Sequence, residues 1–313
     1  MKNLIVTADD FGVFPSINQG IKESVLSGKV NSVAAISNYI DSVKNLKALI
    51  NEVGEKADIG CHLTISSGKP LTIQNNDVFV SGSYFTPFSK LRIDAAEKQS
   101  KILEKELKAQ VEVFIDSGIN IKHLSCHHSI LTATKGLFKV YLEVTEHFKL
   151  PMRSVNIIPR RADRVYRSYL QLALLYKVPV SKLKEMMSFG NEISEFLKVN
   201  KPHIKTPAVV DSGHYGPWIN IWDLGLPKKI KNKHSHLSDF LNEFLTKDYA
   251  YAELMLHLSK KDSSLNKQDR EIDYPGISQD YFESRNAEFH SINTFDFEKY
   301  SEKIKLADWK NLR

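Results

Sequence analysis

Apolar runs that could be strands recur along this chain with helical stretches between them, and that alternation constrains the fold more than any other feature. The run Leu4 to Ala8 is followed by a loop and then by Ser16-Ile-Asn-Gln19, a capping-box pattern opening a helix expected to stop at Gly28. A strand over Ser32 to Ser37, a helix over Ser42 to Val53 and a strand ending at His62 complete a β-α-β-α-β order. Parallel strands with helices packed outside them are the expected result.

Residues 66–90 contain Gly, Pro, Asn and Ser with little periodicity and read as a long loop leaving a strand end, a place where loops tend to be functional. Asp94, with Glu97 three residues on, is expected to cap an amphipathic helix in which Leu103, Leu107, Val111, Phe114 and Ile115 form the core face until Gly118. Further on come a strand ending near His127, a helix over Phe138 to Phe148 and a short strand over Arg153 to Ile157. A helical stretch over Tyr166 to Phe189 and strands over Pro207 to Val210 and Ala250 to His257 follow. About seven strands in this order suggest an α/β protein built as a closed or nearly closed β/α barrel of the TIM type. An open doubly wound sheet is the alternative, because periodicity does not decide closure. One domain over residues 1–313, with loop insertions near 66–92 and 212–246, accommodates the length.

Composition narrows the function classes. A hydrophobic fraction of 42% with 26% charged residues is that of a globular chain and argues against disorder. The net charge of +6 is weakly clustered, its densest run being Lys228-Lys-Ile-Lys-Asn-Lys-His234, so a solvated surface is expected and nucleic-acid binding is not. No signal-peptide pattern and no apolar run of membrane-spanning length occurs, so a cytoplasmic protein without membrane partners is expected. Cys61 and Cys126 form no disulfide framework. Each precedes a histidine, and since strand neighbours point to opposite faces, both thiols are expected to turn away from any site and serve as buried filler.

The chemistry concentrates where strands end. Asp9 and Asp10 directly follow the first run, His62 ends another, and His123, His127 and His128 crowd a third. In α/β proteins the C-terminal ends of strands are where active sites are placed. One carboxylate and two imidazoles suit zinc or magnesium, with cobalt and manganese as further candidates, and three protein ligands leave a position open for catalysis. The second carboxylate of the pair would then be free as a general base, and His257, at the end of the strand Tyr251 to Leu256, is the candidate acid. Alternation puts His123 and His127 on one face and His128 on the other, with one of the three expected to be structural. Taken singly, each has a plainer role: the aspartates could cap a turn, and His62 and His257 could be hydrogen-bonded core residues. Their joint occurrence at the ends of separate strands favours a site.

These segments together resemble the YdjC-like family of carbohydrate deacetylases, which includes chitooligosaccharide deacetylases. Thr7-Ala-Asp-Asp-Phe-Gly12 is similar to its opening motif, Gly60-Cys-His-Leu-Thr-Ile-Ser-Ser-Gly-Lys-Pro-Leu71 to its second and His123-Leu-Ser-Cys-His-His128 to its third. Met152-Arg153, Tyr215-Gly216, Glu253-Leu-Met-Leu-His257 and Tyr281 with Arg285 and Glu288 are similar to later segments, so the match spans nearly the whole chain. The resemblance implies a distorted β/α barrel with a divalent metal on Asp10, His62 and His127. Asp9 is implied as base, His257 as acid, and Arg153 as a residue that orients Asp9 or contacts substrate, against a surface salt bridge as its plainer role. The implied reaction removes the N-acetyl group from an acetylated amino sugar or chitooligosaccharide.

The chain departs from the family pattern at Ser125, where an Asp is usual, at Ser129, where a His is usual, and at Leu258-Ser259 after the final histidine. By alternation Ser125 and Ser129 share the face of His127, so the support of the metal or the sugar contacts are expected to differ. Two other readings stay open on these residues: a metal-dependent hydrolase of another acyl or phosphoryl substrate, and a catalytically silent sugar-binding protein. Tyr84, Phe85, Phe88, Tyr215 and Trp218 lie in expected loops and could stack on sugar rings or simply pack. A homodimer is the default expectation for association.

Overall fold

The computed structural model describes residues 1–155, 192–212, 233–261 and 279–312. In chain order the strands are β1 (Lys2–Phe11), β2 (Ser32–Ala35), β3 (Asp58–Leu63), β4 (Val80–Ser81), β5 (Tyr84–Phe85), β6 (His123–Cys126), β7 (Val209–Ser212), β8 (Tyr251–Leu256) and β9 (Ile304–Leu306). The helices are α1 (Pro15–Leu26), α2 (Ser42–Val53), α3 (Ile93–Glu97), α4 (Ser100–Asp116), α5 (Lys135–Phe148), α6 (His234–Thr246) and α7 (Gln279–Thr294). Residues 192–200 are also helical.

The sheet runs β6-β3-β2-β1-β8-β7, and β9 pairs with the start of β1. Every pairing in it is parallel, so all the strand C-termini emerge on one side. Alternation sorts the residues of each strand by chemistry. Leu4, Val6 and Ala8 of β1, Val33 and Ala35 of β2, Cys61 and Leu63 of β3, and Leu254 and Leu256 of β8 join the main apolar core with the helices. The residues between them are buried too, but many are polar: Thr7, Asp9, His62, Ser125 and Glu253. One face of the sheet is therefore oil, and the other a buried polar interior.

The end of that interior away from the strand C-termini is filled by Trp309, which packs with Ile5 and Leu312. Its ring stacks on His123 with centroids 4.2 Å apart, its Nε1 donates to Ser32 Oγ at 2.9 Å, and its backbone N donates to Asp58 Oδ2 at 2.7 Å.

The outer edges of the sheet approach each other through residues 151–153. Leu124 N donates to Pro151 O at 2.8 Å, Arg153 N to Leu124 O at 2.9 Å, and Met152 N to Lys205 O at 2.9 Å, on the segment entering β7. A continuous ladder closing the sheet into a barrel is not shown among the described residues. The strand expected over Arg153 to Ile157 reduces to a single bridge at Met152, with residues 156–157 outside the described residues. The helix expected over Tyr166 to Phe189 also lies outside them.

Local differences from expectation have identifiable causes. Helix α1 starts at Pro15 without any side-chain cap, because proline at the first position already sets the helical φ. Its end is as expected, with Gly28 at φ +71 past the last turn. Asp94 does not cap the long helix. It sits in the first turn of α3, and Glu97 instead accepts from Gly136 N at 2.8 Å, holding the start of α5. The loop over 66–90 contains the small hairpin β4-β5, and the expected insertion near 212–246 contains α6. No helix among the described residues is long and apolar enough to cross a membrane.

Candidate metal centre

Asp9 and Asp10 pose a geometric problem, since adjacent residues of a regular strand point to opposite faces. The β1–β2 register shifts between Ala8 and Phe11, and Asp10 adopts φ 68. Aspartate tolerates this left-handed region better than most residues, and the bulge bends the strand so that both carboxylates enter the polar interior. Both are buried. Gly12 follows at φ +100, where a Cβ would lie 2.7 Å from Ser42 Oγ, so only glycine lets the chain turn there.

His62 is the penultimate residue of β3, and His127 is the first residue past β6. Ser125 Oγ lies 2.7 Å from His62 Nδ1, which leaves His62 Nε2 aimed into the site. That nitrogen is 3.4 Å from Asp10 Oδ1 and 3.7 Å from Asp9 Oδ2, while His127 Nδ1 is 2.8 Å from Asp10 Oδ1. The ligand atoms of Asp10, His62 and His127 all lie within 4.8 Å of one another. Asp10 Oδ1 and both ring nitrogens of His127 are buried without a hydrogen bond. A divalent cation is the group that fits such a convergence of oxygen and nitrogen lone pairs.

Fixed cations surround the two carboxylates. Arg153 holds Asp9 in a fork, Nη1 to Oδ2 at 2.6 Å and Nη2 to Oδ1 at 2.7 Å, and on its other side meets Glu253 at 2.8 Å and 3.1 Å. It is 7% exposed, so the plainer role of a surface salt bridge is set aside. Arg285 Nη2 donates to Asp10 Oδ2 at 2.6 Å. Burial disfavours the charge on Asp9, but Arg153 and then His62 outweigh it and hold the carboxyl below its usual range. Against the same burial, His127 and Arg285 hold Asp10 well below it.

The remaining expected residues separate. His257 lies directly beyond β8, half-buried, and close enough that its charge acts on Asp9; its backbone N donates to Glu288 Oε1 at 2.9 Å. His123 is the structural histidine, stacked on Trp309 and kept neutral because burial, then Arg153, presses its pKa well below the ordinary value. His128 is at the rim at φ 56, its ring 3.8 Å from that of His127 and 5.0 Å from that of Phe88. Cys61 and Cys126 belong to the apolar core and stand outside the ligand cluster. Burial pushes the Cys126 thiol up to about 12 and that of Cys61 higher still. Ser129 is exposed at φ 51, out of the alternation that would have placed it beside Ser125. Phe85 packs in the core, Tyr84 lies under Lys69 Nζ at 5.2 Å, and Tyr215 and Trp218 lie outside the described residues.

Glu253, Arg285 and Glu288, all buried at the site, carried no expected role. Glu253 carried a signal, being an acid inside an otherwise apolar strand.

The arrangement defines an α/β protein of parallel strands whose C-terminal ends gather a buried Asp-His-His cluster able to hold a metal ion. The chain belongs to the YdjC-like protein family, whose model matches residues 3–303. A carbohydrate deacetylase of Listeria monocytogenes is 33% identical over 132 residues, 41% of this chain and 51% of that protein. The chain thus spans about half the length of the curated relative it matches there. Carbohydrate deacetylase 1 of Listeria innocua is 24% identical over 313 residues, 99% of each chain. A solved structure from Enterococcus faecalis, provisionally named a cellobiose-phosphate cleavage protein, is similar with a TM-score of 0.70 and 20% identity, over 99% of this chain and 98% of that one. That likeness bears on the fold alone.

Proposed function

We propose that this protein is a metal-dependent hydrolase that removes the N-acetyl group from an acetylated amino sugar or chitooligosaccharide. The observation that carries the reading is the buried convergence of Asp10, His62 and His127 beside a second carboxylate, Asp9, that is not needed as a ligand. Membership of a family with relatives named carbohydrate deacetylase supplies the substrate class. Two imidazoles in the set favour zinc or cobalt over magnesium or manganese.

Bound there, a divalent cation supplies a Lewis acid that polarises the acetyl carbonyl and acidifies water. Asp9, kept ionised near neutral pH by Arg153, takes the proton of the attacking water. Arg153 fixes which way that carboxylate faces, itself anchored from behind by Glu253. His257 gives a proton to the nitrogen of the sugar as the amide C–N bond breaks, so acetate and a free amine leave. Ser125 holds His62 in the tautomer that presents Nε2. The chain works as one catalytic domain, a reading supported by the pairing of β9 with β1.

The test is acetate release from N-acetylglucosamine and diacetylchitobiose by protein stripped of metal and reloaded with zinc, cobalt, manganese or magnesium. Asp9→Asn is expected to keep its metal and lose about 10²–10⁴-fold in rate, the usual worth of a general base. His62→Ala is expected to lose both. Full acetate release by Asp9→Asn would refute the assigned base.

A further inference from the structure

Helix α7 touches the site at two points that belong to different strands. Arg285 donates to Asp10 Oδ2 at 2.6 Å, at the end of β1. One turn later Glu288 accepts from His257 N at 2.9 Å, at the end of β8. Residues three apart share a helix face, so the spacing between these anchors is set by the helix and not by a loop.

The grip on the segment after β8 is more extensive than one bond. Ser259 N donates to Arg285 O at 3.3 Å, and Asn286 Nδ2 donates to Ser259 O at 3.2 Å. On the other side of that segment a Cβ at Gly20 would come within 3.1 Å of Ser259 backbone, so α1 and α7 enclose it. Near the end of β1, the Phe14 and Phe282 rings meet edge to face at 5.3 Å. Glu288 is 1% exposed, with Lys233 Nζ, itself buried, 2.8 Å from its Oε2, and Lys233 N donates to Ser291 Oγ at 2.9 Å. Helix α7 therefore buries a polar face, Ser284, Arg285, Glu288 and Ser291, from which Arg285 and Glu288 reach the site.

We infer that Arg285 and Glu288 are positioning residues: one helix turn fixes the Asp10 carboxylate and the His257 peptide at a set distance, aligning the metal ligand with the proton donor. Arg285 occupies Oδ2 of Asp10 and so leaves Oδ1 as the oxygen that faces His62 and His127. Glu288 carries no proton to substrate; it acts through the backbone on which His257 is mounted. This inference rests on the deacetylase reading for the role of His257, but not for that of Asp10.

Two measurements test it. In metal-loaded protein, Glu288→Ala is expected to lower kcat about 100-fold, the cost of a misplacement near 1 Å, with KM and metal content little changed. The double variant Lys233→Met with Glu288→Gln keeps the acceptor for His257 N without a stranded ammonium, and is expected to recover part of that kcat. An unchanged kcat in Glu288→Ala, or no recovery in a folded double variant, would overturn the role of Glu288. Separately, cobalt alone titrated by calorimetry into metal-free Arg285→Met is expected to bind about 10–100-fold more weakly than to the wild type, as when a group that orients a ligand is removed. Equal or tighter binding would overturn the role of Arg285. Should the wild type release no acetate, the deacetylase reading fails while the cobalt titration still decides the Arg285 half.

Discussion

Arg153 stands between two buried carboxylates, and replacing it by leucine should expose how much of the stability of the interior depends on one guanidinium. Its contacts are two bonds to Asp9, at 2.6 Å and 2.7 Å, and bonds at 2.8 Å and 3.1 Å to Glu253, with the carboxylates 1% and 0% exposed. Breaking a buried pair by removing one partner strands the other charge and costs about 3–5 kcal/mol. The loss should depend on pH. In the wild type the Asp9 pKa lies below its ordinary 3.8, so its contribution is present above that value and is lost only as pH falls through the lower, folded-state one. Without Arg153, burial, already the largest single influence on Asp9, is opposed chiefly by His62 and His257, and the Asp9 pKa is expected to rise above its ordinary value. A group raised in this way stabilises fully below the unfolded pKa and less as pH rises through the folded one. The gap between wild type and Arg153→Leu is therefore expected to be largest near neutral pH and to narrow as pH approaches about 4. Urea unfolding of both proteins in chelator, at about pH 7.5 and about pH 4.5, measures it. A gap below about 1 kcal/mol at neutral pH, or one equal at both pH values, would refute the reasoning.

Gly60→Ala should destabilise by about 1–3 kcal/mol or more, since the new Cβ would lie 2.2 Å from His123 Cε1 and that ring is stacked against Trp309. An unchanged melting temperature would contradict this, and His123→Ala in the same chain should restore part of the loss. His127→Ala should fold by circular dichroism yet bind cobalt at least about 100-fold more weakly, a ligand being worth no less than the groups that orient ligands. Wild-type metal content in that variant would remove His127 from the site. Native protein at about pH 8 should react slowly with a thiol reagent at Cys61 and Cys126, and both should react at once on unfolding; rapid labelling of the folded chain would show that neither is core filler.

The elements legible in the sequence are those whose signal is local. β1, β3 and β8 are short, largely apolar runs: those expected over Leu4 to Ala8 and up to His62 fall within the observed strands, and that expected over Ala250 to His257 overruns β8 by one residue at each end. The outward turn of Cys61 and Cys126 follows from the strand period of two. The convergence of Asp9 with Asp10 does not, because it depends on a bulge and a left-handed residue that pairing patterns do not encode. Helix α7 escaped notice because it buries Ser284, Arg285, Glu288 and Ser291, so the apolar period of 3.6 that reveals most helices is diluted along it. β9 and the β4-β5 hairpin are two or three residues per strand, too short for any period to register. The site was visible as residue types at strand ends, whereas its supporting ion pairs join residues far apart in the chain, such as Arg153 with Glu253 and Arg285 with Asp10.

β1 has β2 on one flank and β8 on the other, and its first residues also pair with β9. During synthesis the aspartate-bearing strand can therefore dock its early neighbour within the first few dozen residues, yet it waits for most of the chain before its other margin is covered. Until then that edge of β1 lacks its partner strand, the situation in which edge-to-edge sticking begins. The cavity of the candidate metal site is complete only once Tyr251–Leu256 is in place, and truncation anywhere before Tyr251 leaves its central strand unpaired on one flank.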